Sequence, residues 1–205
     1  MKIVSKITLV ATFGLALAFT FSCSSNDSDD SFNENSPISG YTGSGVIKIE
    51  LDDESLINAG SVTNGVVKLE LPSNISDEHL SGFFDEGDLD EEEIADYCTN
   101  YSKDIKVAWG DFVLTNSQGE YIGDLDIYYG DEQIEESIFY LYFSKAGKIT
   151  CNFENEEICN IDAKTGWNKV YYHKSHNFSK GTNSMEMSTK NILTKEKYLK
   201  WELKN

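Results

Sequence analysis

The sequence predicts an all-β protein, an antiparallel β-sandwich with one short helical or loop insertion; a β-barrel is the alternative. Two observations carry this prediction. Apolar and polar residues alternate with period two in many short runs, which is typical of strands with one buried face. Turn-forming residues separate these runs at intervals of roughly ten residues. Hydrophobic residues make up 40% of the chain and aromatic residues 12%, which is enough to build a core.

The N-terminus has the composition of an export signal. Lys2 and Lys6 supply positive charge, and Ile7–Phe21 is an apolar run of fifteen residues. A run of this length is too short to span a membrane comfortably, but it has the length of a signal-peptide core.

The signal ends at a cysteine. Residues 20–23 read TFSC, and the small residue Ser22 directly before Cys23 resembles the lipobox of bacterial lipoproteins, although Thr20 stands where that family most often has Leu. The resemblance implies that residues 1–22 are a lipoprotein signal peptide and that Cys23 carries diacylglycerol and a further acyl chain such as palmitate. Ser24, in place of Asp, implies the outer membrane, on its periplasmic or surface side.

A polar, acidic segment follows the lipidated cysteine. Residues 24–40 read SSNDSDDSFNENSPISG and contain few large apolar side chains, so residues 23–40 are predicted to form a disordered tether of roughly 20–25 Å. Residues 41–205 are predicted to form a single β-rich domain, because 41–75 alone offers too few strands for a stable core.

The first strands have matching patterns. Val46–Leu51 (VIKIEL) and Val66–Leu71 (VVKLEL) both alternate, and Asn64-Gly65 suits a tight primed turn before the second. The unit AGSVTNGVVKLELP (59–72) resembles a strand–turn–strand piece of transthyretin-like and carboxypeptidase-regulatory-like domains of secreted bacterial proteins. That resemblance implies a transthyretin-like or Ig-like sandwich.

Two further segments extend the resemblance. YFSKAGKIT (142–150) and GWNKVYY (166–172), together with the acidic composition, are similar to uncharacterised acidic β-rich lipoproteins of Gram-negative bacteria. This similarity implies a location and a fold, and it implies no chemistry.

Residues 76–98 interrupt the strand pattern with an acidic loop. Ser76 suits the start of a short helical turn, and Asp90–Cys98 suits a second one. Carboxylates are ligands for Ca²⁺, so a weak calcium site at Asp85, Asp88 and Asp90 is the alternative to a solvated loop. The EF-hand spacing is absent, and no other cofactor is expected.

Eight further strands are predicted from the same alternation. They cover residues 105–115, 120–129, 137–144, 147–153, 157–162, 167–173, 183–189 and 197–203. In the first of them the apolar face switches between Trp109 and Phe112, so a β-bulge is expected at Gly110-Asp111.

Three cysteines remain after lipidation, in an oxidising compartment. Residues 149–161 predict a hairpin that pairs Phe153 with Glu157 and therefore places Cys151 opposite Cys159, within disulfide range. The sequence predicts a Cys151–Cys159 disulfide, and a bond from Cys98 to one of them is the alternative.

Charge is distributed unevenly along the chain. The net charge is −18, with 35 acidic residues and 17 Lys and no Arg. Residues 23–144 contain 28 acidic residues and four Lys, a net charge of −24, whereas residues 145–205 contain seven acidic residues and eleven Lys. Such a chain repels polyanions, which excludes nucleic acid as a partner.

The aromatic residues suggest a binding surface. Tyr128, Tyr140, Tyr142 and Tyr171 are predicted to form an exposed face of the sheet on which sugar rings or a protein can pack. The first hypothesis is therefore a membrane-anchored envelope lipoprotein that is a non-catalytic binding module for a glycan or an envelope protein. A structural or accessory envelope protein without a small-molecule ligand is the second hypothesis. A hydrolase is the third, because no nucleophile–base motif is visible.

Overall fold

The structure of the chain is a computed structural model that describes residues 32–84, 91–153, 156–177 and 181–204. More than half of these residues lie in strands and very few in helices, so the chain is an all-β protein as the sequence predicts. The strands are β1 (Gly45–Leu51), β2 (Leu56–Thr63), β3 (Val66–Leu69), β4 (Ser81–Gly82), β5 (Cys98–Asn100), β6 (Lys106–Ala108), β7 (Gly110–Thr115), β8 (Tyr121–Gly130), β9 (Ile134–Phe143), β10 (Gly147–Phe153), β11 (Glu157–Ala163), β12 (Gly166–Asn177), β13 (Thr182–Ser188) and β14 (Lys200–Lys204). The predicted helical insertion contains α1 (Glu91–Tyr97) and a 3₁₀ turn at Asp77–His79; a second 3₁₀ turn covers Glu196–Tyr198.

The strands form one continuous sheet that does not close. Its order is β3-β2-β1-β7-β8-β9-β12-β13-β11-β10-β5, while β14 pairs with β8, and β6 bridges β4 and β9. Every pairing between these strands is antiparallel except β11 with β13. The open sheet, with β3 and β5 at its ends, is consistent with the predicted sandwich and not with the alternative of a barrel.

Strand β9 separates two hydrophobic cores, one on each of its faces. The first core takes Ile138, Tyr140 and Tyr142 from β9 and is completed mainly by β1, β2, β7, β8 and β14. The second core takes Leu141 and Phe143 from β9 and is completed mainly by β6, β10, β11 and β12. Alternate residues of one strand therefore belong to different cores.

The two hairpin strands β8 and β9 pair only near their turn. They are in register from Ile127↔Ile138 to Gly130↔Glu135, and beyond that point they separate. The segment that contains β6 and β7 lies in the gap between them: β7 pairs with the first half of β8, and β6 pairs with the last residues of β9. The bulge predicted at Gly110-Asp111 is thus a break between two strands that follow different partners.

The predicted turn and hairpin registers are confirmed. Asn64 and Gly65 both have positive φ, +51° and +79°, as a primed two-residue turn requires. Phe153 pairs with Glu157, and Cys151 lies directly opposite Cys159.

The predicted Cys151–Cys159 disulfide is wrong. Cys151 has a cysteine neighbour on each side, because β10 lies between β11 and β5. The disulfide joins Cys151 to Cys98, with Cα atoms 4.0 Å apart, as in the alternative pairing. Cys159 is a free, buried thiol, and burial raises its pKa to about 12.

The predicted tether is shorter than expected, because its described part, residues 32–40, packs on the domain. Ile38 is buried in the first core and is bridged to Trp201. Phe32 packs its ring edge-on against Trp201, and the Trp201 indole N–H donates to the Glu34 carbonyl at 3.0 Å. Two apolar side chains, together with backbone hydrogen bonds and an ion pair between Glu34 and Lys169, therefore hold this polar segment. Cys23 and residues 1–22 lie outside the described residues.

A buried carboxylate fastens the C-terminal segment to the β8–β9 hairpin. Glu136 is fully buried, and it accepts hydrogen bonds from the Thr194 N–H (2.7 Å), the Thr194 hydroxyl (2.8 Å) and the Lys195 N–H (2.8 Å). His173 Nδ1 lies 3.0 Å from the same carboxylate. Burial raises the pKa of Glu136, but these hydrogen bonds outweigh burial, and the net pKa lies below the ordinary value of 4.5.

The close packing at Gly60 predicts a large cost for a side chain there. Its φ is +149°, and an added Cβ would lie 2.2 Å from the Lys68 carbonyl oxygen, which is backbone and cannot rotate away. We expect Gly60→Ala to lower the free energy of unfolding by more than about 2 kcal/mol. The control is Gly119→Ala, at φ +85° with open space around it, which should cost about 1 kcal/mol. Urea unfolding measures the free energy of unfolding of both variants. Equal losses would contradict the inference that backbone atoms leave no room for a side chain at Gly60.

The hydrogen bonds of Glu136 predict a pH-dependent contribution to stability. We expect Glu136→Gln to cost about 2–3 kcal/mol at neutral pH, because an amide cannot accept all the bonds that the carboxylate accepts. Since the folded pKa is lowered, this contribution is complete above pH 4.5 and is lost as pH falls through the folded pKa. The control is Glu135→Gln at the neighbouring, partly exposed residue, which should lower the free energy of unfolding by less than about 1 kcal/mol. Unfolding curves from pH 7 to pH 3 test both variants; a pH-independent difference would contradict the assignment.

Candidate binding cleft

A large cleft opens where β8 and β9 separate. Its volume is about 910 Å³, within the range of roughly 300–1,000 Å³ typical of small-molecule sites. One side is the outer face of β1, β7 and β8, which carries the acidic residues of these strands. The other side is the exposed edge of the second core. The cleft thus lies at the step between the two cores.

Aromatic rings form the second-core side of the cleft, which we call the aromatic wall: Phe83, Phe84, Trp109, Phe139 and Tyr172. Trp109 and Phe139 stack with ring centroids 6.1 Å apart, and Phe83 lies 5.6 Å from Trp109. Rings that support one another in this way form a rigid apolar surface on which a planar or aliphatic group can pack.

Carboxylates line another part of the cleft; we call Glu50, Asp111 and Asp126, on the neighbouring strands β1, β7 and β8, the acidic wall. Glu50 of β1 and Asp111 of β7 are direct cross-strand partners, so two like charges face each other on one surface of the sheet. The pKa of Asp111 is raised, first by desolvation and then by the charges of Asp126 and Asp124. The wall therefore has a strongly negative potential.

Lys204 makes contact with one end of this wall. It forms an ion pair with Asp126, and its Nζ lies 5.0 Å from the centroid of the Tyr128 ring. The ion pair raises the pKa of Lys204. An ammonium group held between an aromatic face and a carboxylate is a cation–π arrangement.

The structure divides the four predicted surface tyrosines. Tyr128 lines the cleft. Tyr140 and Tyr142 are 7% exposed and belong to the first core, so the prediction that they form a binding surface is wrong; β9 is covered on both sides. Tyr171 is half-buried against the same core, on the face of β12 opposite to that of Tyr172. The four residues therefore do not form one surface.

Sequence reasoning missed most of the cleft. Trp109 and Phe139 are distant in sequence and meet only because β6 and β7 enter between β8 and β9. The change of apolar face between Trp109 and Phe112 was the available signal, and it marks the residue at which the chain passes from one core to the other.

A Ser–His–Asp cluster lies apart from the cleft lining. His79 Nδ1 is 2.6 Å from Asp53 Oδ2 and 3.2 Å from the Ser55 hydroxyl, which also donates to Asp53. A hydrolytic triad places the serine at Nε2 and the acid at Nδ1. Here both contacts are at Nδ1, so the histidine is not positioned to activate the serine, and the cluster is a partly exposed set of hydrogen bonds that joins residues 53–55 to the 3₁₀ turn at Asp77–His79.

Metal ligation has little support in the described residues. No group of three or more His, Cys, Asp or Glu side chains there is arranged to hold a metal ion. Asp85, Asp88 and Asp90, the predicted calcium ligands, lie outside the described residues.

No helix within the described ranges is long and apolar enough to cross a membrane.

Comparison with protein-family models, with curated proteins and with solved structures finds no match to this chain. The N-terminal pattern and the chemistry of the cleft are therefore the basis for a proposed function.

The Asp53 cluster gives a testable pKa. Hydrogen bonds from Ser55 and His79 lower the pKa of Asp53 from 3.8 to about 2. We expect Ser55→Ala to raise that pKa toward 3.8, because it removes the largest favourable contact of the ionised form. Titration of the Asp53 carboxyl carbon by NMR measures the shift, with Ser117→Ala as a control that leaves it in place. An unchanged pKa in Ser55→Ala would rule out this hydrogen bond.

Proposed function

We propose that the chain is a membrane-anchored envelope lipoprotein that acts as a non-catalytic binding module, with the cleft between the aromatic and acidic walls as its binding site. The proposal has two parts, anchoring and binding, and they rest on separate observations. The cleft carries the second part, which concerns what the folded domain does.

The anchor is supported by residues 1–23 alone. A positive end, a fifteen-residue apolar run and a small residue before Cys23 resemble a lipoprotein signal. Two or three acyl chains contribute about 0.8 kcal/mol per buried CH₂, which is enough for stable anchoring. The docking of residues 32–40 leaves residues 24–31 as the link between the lipidated cysteine and the domain.

The binding part is supported by the contrast between the two walls. An apolar surface of stacked rings and a group of carboxylates line the same cleft, whose volume suits a small ligand or a side chain of a partner. A glycan and an envelope protein are the two ligand types expected from the sequence. The Ser55–His79–Asp53 geometry gives a hydrolase no support, because the serine is not activated.

The anchor makes a direct prediction. We expect wild-type protein to sediment with the membrane fraction and to have a mature mass that begins at Cys23 with diacylglycerol and an acyl chain. Cys23→Ala should carry no acyl mass and keep its signal peptide. Intact-mass spectrometry of both forms decides the matter, and an intact Met1 without acyl mass in the wild type would refute anchoring.

The binding site is tested by filling the cleft without removing any core side chain. Ser137 lines the cleft, and Ser137→Trp places a ring inside it, whereas Ser117→Trp adds the same ring on an exposed turn. We expect the full chain in detergent to bind a glycan or envelope protein that Ser137→Trp fails to bind and Ser117→Trp retains. Glycan arrays and crosslinking in envelope fractions measure this. Equal binding by all three forms would mean that the cleft is not the site.

A further inference from the structure

We infer that the cleft binds a small organic ammonium ion, a positively charged amine on an aromatic or aliphatic body. This inference rests on the proposed function and names the class of ligand for the same site. Three observations carry it: the charge of the lining, the aromatic wall, and the position of Lys204.

The first observation is the sign of the charge. Glu50, Asp111 and Asp126 line the cleft, and none of the described residues that line it is basic. Glu50 and Asp111 are cross-strand partners, so two like charges on exposed side chains repel each other there. A bound cation removes this repulsion, whereas a neutral ligand leaves it and an anion increases it.

The second observation is the match between the two walls and the two ends of such a ligand. The stacked Trp109 and Phe139 rings offer an apolar surface to the body of the molecule. The ammonium end then lies toward the carboxylates, and the negative faces of the rings also favour positive charge. The volume of the cleft also suits such a ligand, because about 910 Å³ admits a molecule of one or two rings.

The third observation is that the chain already places one ammonium group in this environment. Lys204 sits over the Tyr128 ring and pairs with Asp126, and both of these residues line the cleft. The contacts made by Lys204 are the contacts that we infer for the ligand. Because Lys204 is positive, it also opposes the binding of a second cation nearby.

Three probes that differ only in their terminal group test the inference. Tyramine carries an ammonium, 4-(2-hydroxyethyl)phenol a neutral hydroxyl, and 3-(4-hydroxyphenyl)propanoate a carboxylate. We titrate each into the detergent-solubilised full chain and follow the Trp109 indole signal by NMR, with detergent alone as the blank. We expect tyramine to bind about tenfold more tightly than the neutral probe, the carboxylate not to bind, and the affinity for tyramine to fall with salt.

Variants assign the selectivity to the acidic wall. Asp111→Asn should weaken tyramine binding about fivefold to tenfold and leave the neutral probe unchanged. Asp162→Asn, which removes a carboxylate on β11 outside the cleft, should change neither probe. Lys204→Met should tighten tyramine binding severalfold, since it removes a positive charge from the edge of the site.

The outcomes separate this inference from the proposed function. Equal affinity for tyramine and the neutral probe, or weaker tyramine binding in Lys204→Met, overturns the ammonium assignment. If a neutral oligosaccharide binds and is lost in Ser137→Trp while tyramine does not bind, the ligand class is wrong but the cleft remains a binding site. If Ser137→Trp leaves tyramine binding intact, the probe binds elsewhere and the inference is wrong.

Discussion

The burial of both faces of β9 is the constraint on which the rest of the structure depends. A strand with one solvated face alternates apolar and polar residues, but residues 138–143 (IFYLYF) are apolar or aromatic on both faces. Each face must therefore be covered, and the chain covers one with the N-terminal strands and the other with β10 and β11. The two cores consequently share a strand, and neither is an independent domain.

This constraint also explains why a cleft exists. β8 contributes to the first core and β9 to both; the two strands pair only near their turn, and β6 and β7 lie between them where they separate. The separation of β8 and β9 exposes the edge of the second core beside the outer face of β1, β7 and β8. Glu136 stabilises the same hairpin from its turn side, since its buried carboxylate binds the segment that leads into β14. The cleft is therefore lined partly by paired strands and partly by Phe83, Phe84 and Trp109 from the segments between strands.

Local patterns predicted the local structure, and the errors concern partners that are distant in sequence. Alternation and the Asn64-Gly65 turn located the strands, and the hairpin register placed Cys151 opposite Cys159. Cys151 is instead bonded to Cys98, because β10 has a second neighbour, β5, that only the sheet order reveals. For the same reason Tyr140 could not be recognised as buried: its side chain is covered by strands far away in the sequence. The aromatic wall likewise depends on contacts that no periodicity encodes.

The negative charge of this chain has two physically different parts. Carboxylates on exposed loops can move apart, are screened by salt, and serve solubility and repulsion from anionic lipid headgroups. Glu50 and Asp111 are exposed too, but they stand at fixed cross-strand positions, because their strand neighbours Ile49 and Phe112 are buried in the first core. The backbone therefore keeps two negative charges on adjacent strands, and a bound cation reduces the repulsion between them. Lys204 forms an ion pair with Asp126, so the part of the acidic wall formed by Glu50 and Asp111 is the region of the cleft with most to gain from a positively charged ligand.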